Sequence, residues 1–252
     1  MKITVIPDVH GTHHWEKVIK SAEAELADHI IFMGDYVDSW DNMQPDQMEN
    51  LKAILDLKRN NLDKVTVLMG NHDLAYISDP WVSDHQWDYA TEIWSIINYN
   101  IELFDMVAEF DGWIFAHAGI TKTWLNIYGI NKDTDAPAPY SLPNWNNMSI
   151  LERINGIFHA DHYKIFDFGP YCTNSYGESP YSPPTWVRPQ SLLSDMWTAD
   201  SKYKGQVVGH TEIRPNPCFL TKNDNRAILV DSPEHDSIFH FDTEAEYNWR
   251  EM

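Results

Sequence analysis

The alternation of apolar and polar positions predicts strands and helices in turn over the first third of the chain. Short apolar runs at residues 2–6, 30–33 and 65–69 are typical of buried strands. Residues 15–29 and 45–60 lie between these runs and repeat their apolar side chains at helical spacing. The order strand, helix, strand, helix, strand favours βαβ units and a parallel sheet.

The first predicted helix, at residues 15–29, has one apolar face. That face carries Trp15, Val18, Ile19, Ala22 and Leu26. The second helix, at residues 45–60, has Pro45 and Asp46 in its first turn, where both residue types are favoured. A third segment, residues 85–104, also favours a helix and is rich in Trp and Tyr.

Further apolar runs predict strands in the second half of the chain. Residues 106–120 favour two strands around a tight turn at Asp111-Gly112. Residues 205–212 favour one strand that ends in Gly-His. The last two runs, 226–232 and 236–242, predict a β-hairpin.

Residues 131–190 differ from the rest of the chain in composition. They hold eight of its 14 prolines and many aromatic residues, which predicts long irregular structure. Loops of this length are often lids or binding loops, and a packed proline-rich connection is an equal alternative. We therefore predict one domain over residues 1–252, with a loop or cap region at about 131–190.

Charge and cysteine content limit the classes of partner. The formal net charge of −20 argues against non-specific nucleic-acid binding and against binding to an anionic membrane. It allows a phosphate-bearing substrate, because bound cations can invert the field of an acidic site. Two cysteines, the absence of a long apolar span and an N-terminus unlike a signal peptide together predict a cytoplasmic protein.

Five polar clusters each follow an apolar run, at the predicted carboxyl ends of strands. They are Asp8-Val9-His10-Gly11, Gly34-Asp35-Tyr36-Val37-Asp38, Gly70-Asn71-His72-Asp73, His117-Ala118-Gly119 and Gly209-His210-Thr211. In open α/β sheets such ends converge at the ligand site. Mixed oxygen and imidazole donors suit Mn, Fe, Zn, Ni or Co. Six or more such groups favour two ions that share one bridging carboxylate.

Taken together, these clusters resemble the calcineurin-like metallophosphoesterases. The family pattern D-x-H, G-D-x-x-D, G-N-H-[DE], a later His and G-H-x appears here as "DVH", "GDYVD", "GNHD", "HAG" and "GHT". The motifs span residues 8–211. The resemblance implies an α/β fold in which a two-sheet β-sandwich is flanked by helices.

The resemblance also implies a role for each motif residue. Asp8 and His10 would bind the first of two divalent ions. Asp35 would bridge both ions, and the second ion would be completed by Asn71, His117 and His210. A hydroxide between the ions would attack phosphorus in line. His72 would act as general acid towards the leaving group, and Asp38 would orient His72 and keep it charged.

Several stretches favour the branch that resembles Ser/Thr protein phosphatases, including its bacterial and phage members. "DVHG" and "GDYVD" match that branch, and Glu212 stands where many phosphodiesterase relatives have a second histidine. "TWVRP" places Arg188 as a candidate ligand of a phosphate oxygen, with a surface arginine as the equal alternative. Two departures weaken the match: Ser39-Trp40 replaces the usual Arg-Gly, and Asp73 replaces the usual Glu.

The resulting prediction is a dinuclear, metal-dependent phosphomonoesterase, with Mn as the first candidate metal. Its substrate would be a phosphoprotein or a nucleotide. One alternative is a nucleotide or dinucleoside polyphosphate hydrolase, or a phosphodiesterase. The alternative from another class is a catalytically silent scaffold that keeps the metals. The retention of His72 and Asp38 speaks against the scaffold, because neither residue is needed to hold the ions.

Overall fold

Two mixed β-sheets flanked by helices form the protein. The computed structural model describes residues 1–39, 44–78, 82, 85–131, 140–167, 176–198, 202–232 and 238–252. The strands within these residues are β1 (Lys2–Ile6), β2 (His29–Phe32), β3 (Val65–Leu68), β4 (Phe104–Asp105), β5 (Val107–Phe110), β6 (Trp113–Ala116), β7 (Gly205–Val208), β8 (Cys218–Lys222), β9 (Asn225–Leu229), β10 (Phe239–Asp242) and β11 (Arg250–Glu251).

Helices cover the outer faces of both sheets. They are α1 (His14–Val18), α2 (Ala22–Glu25), α3 (Gln44–Asn60), α4 (Asn71–Ser78), α5 (Ala90–Asn98), α6 (Lys122–Ile127), α7 (Ile150–His159) and α8 (Pro189–Asp195). Short 3-10 helices occur at Trp87–Tyr89, Ile101–Leu103, Trp145–Asn147 and Tyr163–Ile165. Within the described residues, no helix combines the length and the apolar content that crossing a bilayer requires.

The sheets have the orders β10-β1-β2-β3-β4 and β11-β8-β9-β7-β6-β5. Strands β1, β2, β3 and β4 run parallel, which confirms the predicted βαβαβ start, and β10 pairs antiparallel with β1. In the second sheet β6, β7 and β9 run parallel, whereas β5 is antiparallel to β6 and β8 is antiparallel to β9. The edge strand β11 pairs parallel with β8. The carboxyl ends of the parallel strands carry the polar clusters.

The two-residue period of the strands explains how the sheets pack. Ile3 and Val5 of β1 face the second sheet and share a buried cluster with Phe115 and Val207. The neighbouring position Ile6 faces the other way and joins a cluster with Leu51 of α3. β1 therefore places one row of side chains in the sandwich interior and the other row under a helix, as the predicted fold class requires.

The predicted single helix at residues 15–29 is wrong. The chain forms α1 and α2 instead, with a turn between them in which the backbone N–H of Ser21 bonds to the carbonyl of Val18 at 2.8 Å. The hydroxyl of Ser21 accepts from the backbone N–H of Ala24 at 3.2 Å, so it starts the second helix. Leu26, placed on the apolar face by the pattern, is 76% exposed.

The predicted hairpin of residues 226–232 and 236–242 is also wrong. β9 and β10 belong to different sheets, and residues 233–237 between them lie outside the described part. Ile228 and Phe241 meet in the sandwich interior from opposite sides. In this part of the chain a hairpin joins β8 to β9, through Asn223 and Asp224, which both have positive φ angles.

Within residues 131–190, the expectation of irregular structure fails at α7. The helix begins at a capping box, in which the Ser149 hydroxyl accepts from the Glu152 N–H and the Glu152 carboxylate accepts from the Ser149 N–H. Ile154, Ile157 and Phe158 bury its apolar face. Residues 132–139 and 168–175 of the same region lie outside the described part.

A buried histidine in β2 gives a prediction on stability. Burial and the charge of Lys58 lower the pKa of His29 to about 4 from its ordinary 6.5. Between these values the unfolded chain binds the proton more readily, so stability is lost as pH falls from 6.5 towards 4. His29→Gln, which cannot titrate, should weaken this acid-side fall in melting temperature. His159→Gln at an exposed position is the control, and an unchanged slope in His29→Gln would contradict the assignment.

Candidate active site

The candidate site lies where the carboxyl ends of the parallel strands meet. Asp8 and His10 follow β1, Asp35 follows β2, and Asn71 follows β3. From the second sheet, His117 follows β6 and His210 follows β7. The structure brings these six sequence-predicted ligands together with His72 and Asp38, through a continuous set of short contacts.

Asp35 is the centre of the site. Its carboxylate lies 3.8 Å from Nε2 of His10 and 3.4 Å from Nε2 of His117. Two groups of side chains have ligand atoms within 4.8 Å of one another: His10, Asp35 and His72 form one, and Asp35, His117 and His210 form the other. The two groups share Asp35, so one buried carboxylate faces two sets of imidazoles.

Backbone carbonyls orient two of the imidazoles. Nδ1 of His10 lies 3.1 Å from the carbonyl oxygen of Val37, and Nδ1 of His117 lies 2.9 Å from that of Met33. Because a carbonyl only accepts, each Nδ1 carries the proton and donates it. Nε2 of both rings therefore faces Asp35, which is the ring arrangement of metal-ligating histidines.

His210 provides a fit test for a metal ion. Its Nε2 is buried and has no hydrogen-bond partner among the described residues. Burial, together with the charge of His117, holds the pKa of His210 well below its usual range. A neutral imidazole with an unpartnered buried nitrogen has a lone pair available, so this residue fits the metal that the motifs imply.

The carboxylates of the site also fit a cation. Burial raises the pKa of Asp8 well above its usual range, and the charge of Asp231 adds to this effect. Both oxygens of Asp8 accept from the backbone N–H of His210, at 3.0 and 3.1 Å. Burial disfavours a charged His117, yet Asp35 and Asp8 outweigh it and raise its pKa to about 10. The site therefore attracts positive charge.

The last residue of the third motif holds two loops together. Asp73 is fully buried in the first turn of α4, and its carboxylate accepts backbone N–H bonds from Asp35 at 2.7 Å, Tyr36 at 2.8 Å and Gly70 at 3.0 Å. The loops after β2 and β3 are thereby fixed side by side. Asn71, His72 and Asp73 of this motif form the first turn of α4.

His72 and Asp38 form a hydrogen-bonded pair at the edge of the site. Nδ1 of His72 lies 2.9 Å from Oδ2 of Asp38, whose side chain is fully buried. Burial lowers the pKa of His72, but Asp35 and Asp38 outweigh burial and raise it. The His72 ring meets the ring of His10 edge-on at 5.0 Å between centroids. Asp38 and Asp35 thus favour the protonated form of an imidazole that lies beside the candidate ligands.

Arg188 lies next to the second imidazole group. Its Nη1 donates to the carbonyl of His210 at 3.2 Å and to the hydroxyl of Thr211 at 3.1 Å. Its Nε donates to the carbonyl of Tyr176 at 2.9 Å. The side chain lines a cavity of about 850 Å³ that also contacts Glu178. Arg188 is therefore a fixed, half-buried cation rather than a loose surface arginine.

The comparisons with known proteins agree with this geometry. A family model for calcineurin-like phosphoesterases matches residues 1–231. The chain belongs to the calcineurin-like phosphoesterase family. It is an enzyme that hydrolyses phosphoester bonds, in a family that depends on metal ions. No curated protein matches the chain significantly.

Solved structures share the fold of this calcineurin-like phosphoesterase. A cold-active protein-tyrosine phosphatase from a psychrophilic Shewanella species is 17% identical with a TM-score of 0.57, covering 93% of this chain and 72% of that one. A protein serine/threonine phosphatase from Saccharomyces cerevisiae, described as similar to human phosphatase PP5, is 14% identical with a TM-score of 0.50, covering 95% and 72%. At these identities the likeness concerns the fold.

Two features of this phosphoesterase were missed by sequence reasoning. The hydrogen bonds that the Asp73 carboxylate accepts from backbone N–H groups could have been suspected from its place at the helix start, where a carboxylate is favoured. The contact of Tyr76 with Asp38 could have been suspected from its spacing, because Tyr76 stands four residues after His72 on one helix face.

Ser39, where the branch has arginine, donates its N–H to Oε1 of Gln47 at 3.2 Å. Trp40 lies outside the described residues.

The glycine of the third motif leads to a prediction. A Cβ at Gly70 would lie 2.1 Å from Oδ1 of Asp35, far closer than atoms can approach. Gly70→Ala should therefore displace Asp35 and abolish metal-dependent hydrolysis. The matched control is Gly156→Ala within α7, where the nearest atoms belong to the movable side chains of Met148 and Leu142. Full activity in Gly70→Ala would show that Asp35 need not hold its position.

Proposed function

We propose that this phosphoesterase is a dinuclear, metal-dependent phosphomonoesterase. The observation that carries the proposal is the position of Asp35 between the group containing His10 and the group containing His117 and His210. One carboxylate shared between two ligand sets is the arrangement of two-ion hydrolytic sites. Mn²⁺ is the first ion to test, with Fe, Zn, Ni and Co as alternatives.

Each ion would have its own ligands besides Asp35. Asp8 and His10 would hold the first ion, and Asn71, His117 and His210 would hold the second. Oδ1 of Asn71 lies 2.9 Å from Nε2 of His117, so both atoms point into the same space. When bound, the ions would polarise the phosphoryl oxygens and supply an activated water as nucleophile.

His72 is part of the first geometric group, but we propose it as general acid rather than ligand. Its Nδ1 is engaged by Asp38, so Nε2 is the nitrogen left for the leaving-group oxygen. The ring is 12% exposed, whereas Asp38 is fully buried. His72 is therefore accessible to a substrate, and Asp38 sets its orientation and charge.

Arg188 would bind a phosphate oxygen of the substrate. Asp8 and Asp35 lie near enough to act on its charge, so the guanidinium is close to two of the proposed ligands. Its Nε and Nη1 are fixed by Tyr176, His210 and Thr211, so the planar group is held in one orientation. This rigidity suits recognition of a tetrahedral anion.

A further observation favours monoesters over diesters. Glu212 occupies the position of the second histidine of many phosphodiesterase relatives, and its side chain is exposed. It is therefore not a ligand of the proposed ions. A phosphoprotein or a nucleotide is the proposed substrate.

A substrate panel with Mn²⁺ tests the proposal. It compares nitrophenyl phosphate, bis-nitrophenyl phosphate, phosphopeptides, mononucleotides and dinucleoside polyphosphates at equal concentration. We expect monoesters to be hydrolysed faster than the diester and the polyphosphates. A preference for the diester would contradict this proposal and support a phosphodiesterase. A preference for polyphosphates would support a polyphosphate hydrolase instead. Tight metal binding without turnover of any compound would support the alternative of a catalytically silent, metal-binding scaffold.

A further inference from the structure

The hydrogen bonding of Asp38 extends beyond His72. Oδ2 of Asp38 accepts from Nδ1 of His72 at 2.9 Å, and Oδ1 accepts from the hydroxyl of Tyr76. The oxygen of that hydroxyl in turn accepts the backbone N–H of Gln86 at 3.0 Å. A continuous chain thus runs from the segment before α5 to the proposed general acid.

We propose that Tyr76 is a positioning residue that holds Asp38, and through it His72, in the orientation for proton donation to the leaving group. This inference rests on the proposed function, in which His72 is the general acid. In this proposal Tyr76 binds neither a metal ion nor the substrate. Its effect on the reaction passes entirely through the carboxylate of Asp38.

The burial of Asp38 makes the hydroxyl necessary. The carboxylate is fully buried, so each of its oxygens needs a donor from the protein. His72 supplies the donor to Oδ2 and Tyr76 supplies the donor to Oδ1. Without the hydroxyl, Oδ1 would lack that donor, and the carboxylate could rotate away from the position in which it orients His72.

The hydroxyl itself is fixed in direction. Because its oxygen accepts the Gln86 N–H, its own hydrogen is directed to Asp38. The ring of Tyr76 stacks on that of His85, with 4.2 Å between centroids and an interplanar angle of 23°. Burial and the charge of Asp38 raise the pKa of Tyr76, so the group remains a donor throughout the working pH range.

The test compares leaving groups in Tyr76→Phe, which keeps the ring and removes only the hydroxyl. An alkyl phosphate needs a proton on its leaving oxygen, whereas nitrophenolate barely does. We expect kcat for the alkyl ester to fall about tenfold and kcat for the nitrophenyl ester about twofold or less, since a positioned acid contributes about 10²–10⁴-fold in total. Tyr163→Phe, which removes another tyrosine–aspartate bond at Asp161, should change neither rate.

A double-mutant cycle separates positioning from simple structural support. In a His72→Asn background the loss caused by Tyr76→Phe should disappear, because its effect passes through His72. Equal losses on both esters, or the same loss in both backgrounds, would overturn the inference.

A readout independent of activity uses proton NMR of the metal-free protein. The Nδ1–H resonance of His72, assigned by its loss in His72→Asn, should shift and exchange faster with water in Tyr76→Phe but not in Tyr163→Phe. An unchanged resonance would overturn the role of Tyr76. A wild-type protein that hydrolyses neither ester would instead refute the proposed function, while the resonance would still report on Tyr76.

Discussion

Replacing His72 with asparagine is expected to slow hydrolysis of an alkyl phosphate by about 10²–10⁴-fold and to slow that of nitrophenyl phosphate far less. Asparagine keeps a donor near Oδ2 of Asp38 but has no group that can pass a proton to the leaving oxygen. The structure supports this split, because Nδ1 of His72 is engaged 2.9 Å from Asp38 and the ring keeps 12% of its surface accessible. Steady-state kcat for the two esters measures it.

The control for this experiment is His159→Asn. His159 also faces an aspartate, with Nε2 3.5 Å from Oδ1 of Asp105, but it lies on an exposed face of α7. Its replacement should leave both rates unchanged. If His72→Asn slowed both esters equally, His72 would act as a metal ligand or as a structural residue, and the general acid would have to be sought elsewhere.

Replacing Asp35 with asparagine is expected to abolish turnover of every ester. Burial disfavours a charged Asp35, but His117, His72 and His10 outweigh burial and hold its pKa well below the usual range. Asparagine keeps the shape and can still accept the backbone N–H of His72, which bonds to Oδ1 at 2.9 Å. It removes the negative charge that both ions would share. Replacing a residue that only hydrogen-bonds to a metal ligand typically weakens metal binding by about 10–100-fold. Asp35→Asn should weaken it by more than this.

Competition titration with a metal-sensitive dye measures that affinity, alongside activity at saturating Mn²⁺. Asp105→Asn at the end of β4 is the matched control and should alter neither quantity. Full activity in Asp35→Asn would remove the bridging carboxylate from the proposed mechanism.

The sequence made the site predictable because its chemistry is attached to strand ends. Asp8, Asp35 and Asn71 each follow one of the parallel strands β1, β2 and β3 of one sheet, and parallel strands bring their carboxyl ends to one edge. The apolar runs therefore predicted both the strands and the convergence of the polar clusters at their ends. The same reasoning could not assign β9 and β10 to their sheets, because an apolar face shows that a strand is buried but not which neighbour it pairs with.

The missed residues act through contacts distant in sequence. Asp73 fixes the loop after β2 from the start of α4, and Tyr76 reaches Asp38 across 38 positions. Local spacing places each residue near the site, but it does not identify the distant partner that the side chain contacts. Leu26 shows the opposite error, since a fitting helical pattern was interrupted by the Ser21 hydroxyl bond that starts a new helix.

The most direct test is a crystal structure of the Mn²⁺-loaded protein, with data collected at the manganese absorption edge. We expect two anomalous peaks about 3.5–4 Å apart, on either side of the Asp35 carboxylate, one near His10 and the other near His117 and His210. A single peak, or two peaks that do not both contact Asp35, would contradict the dinuclear site.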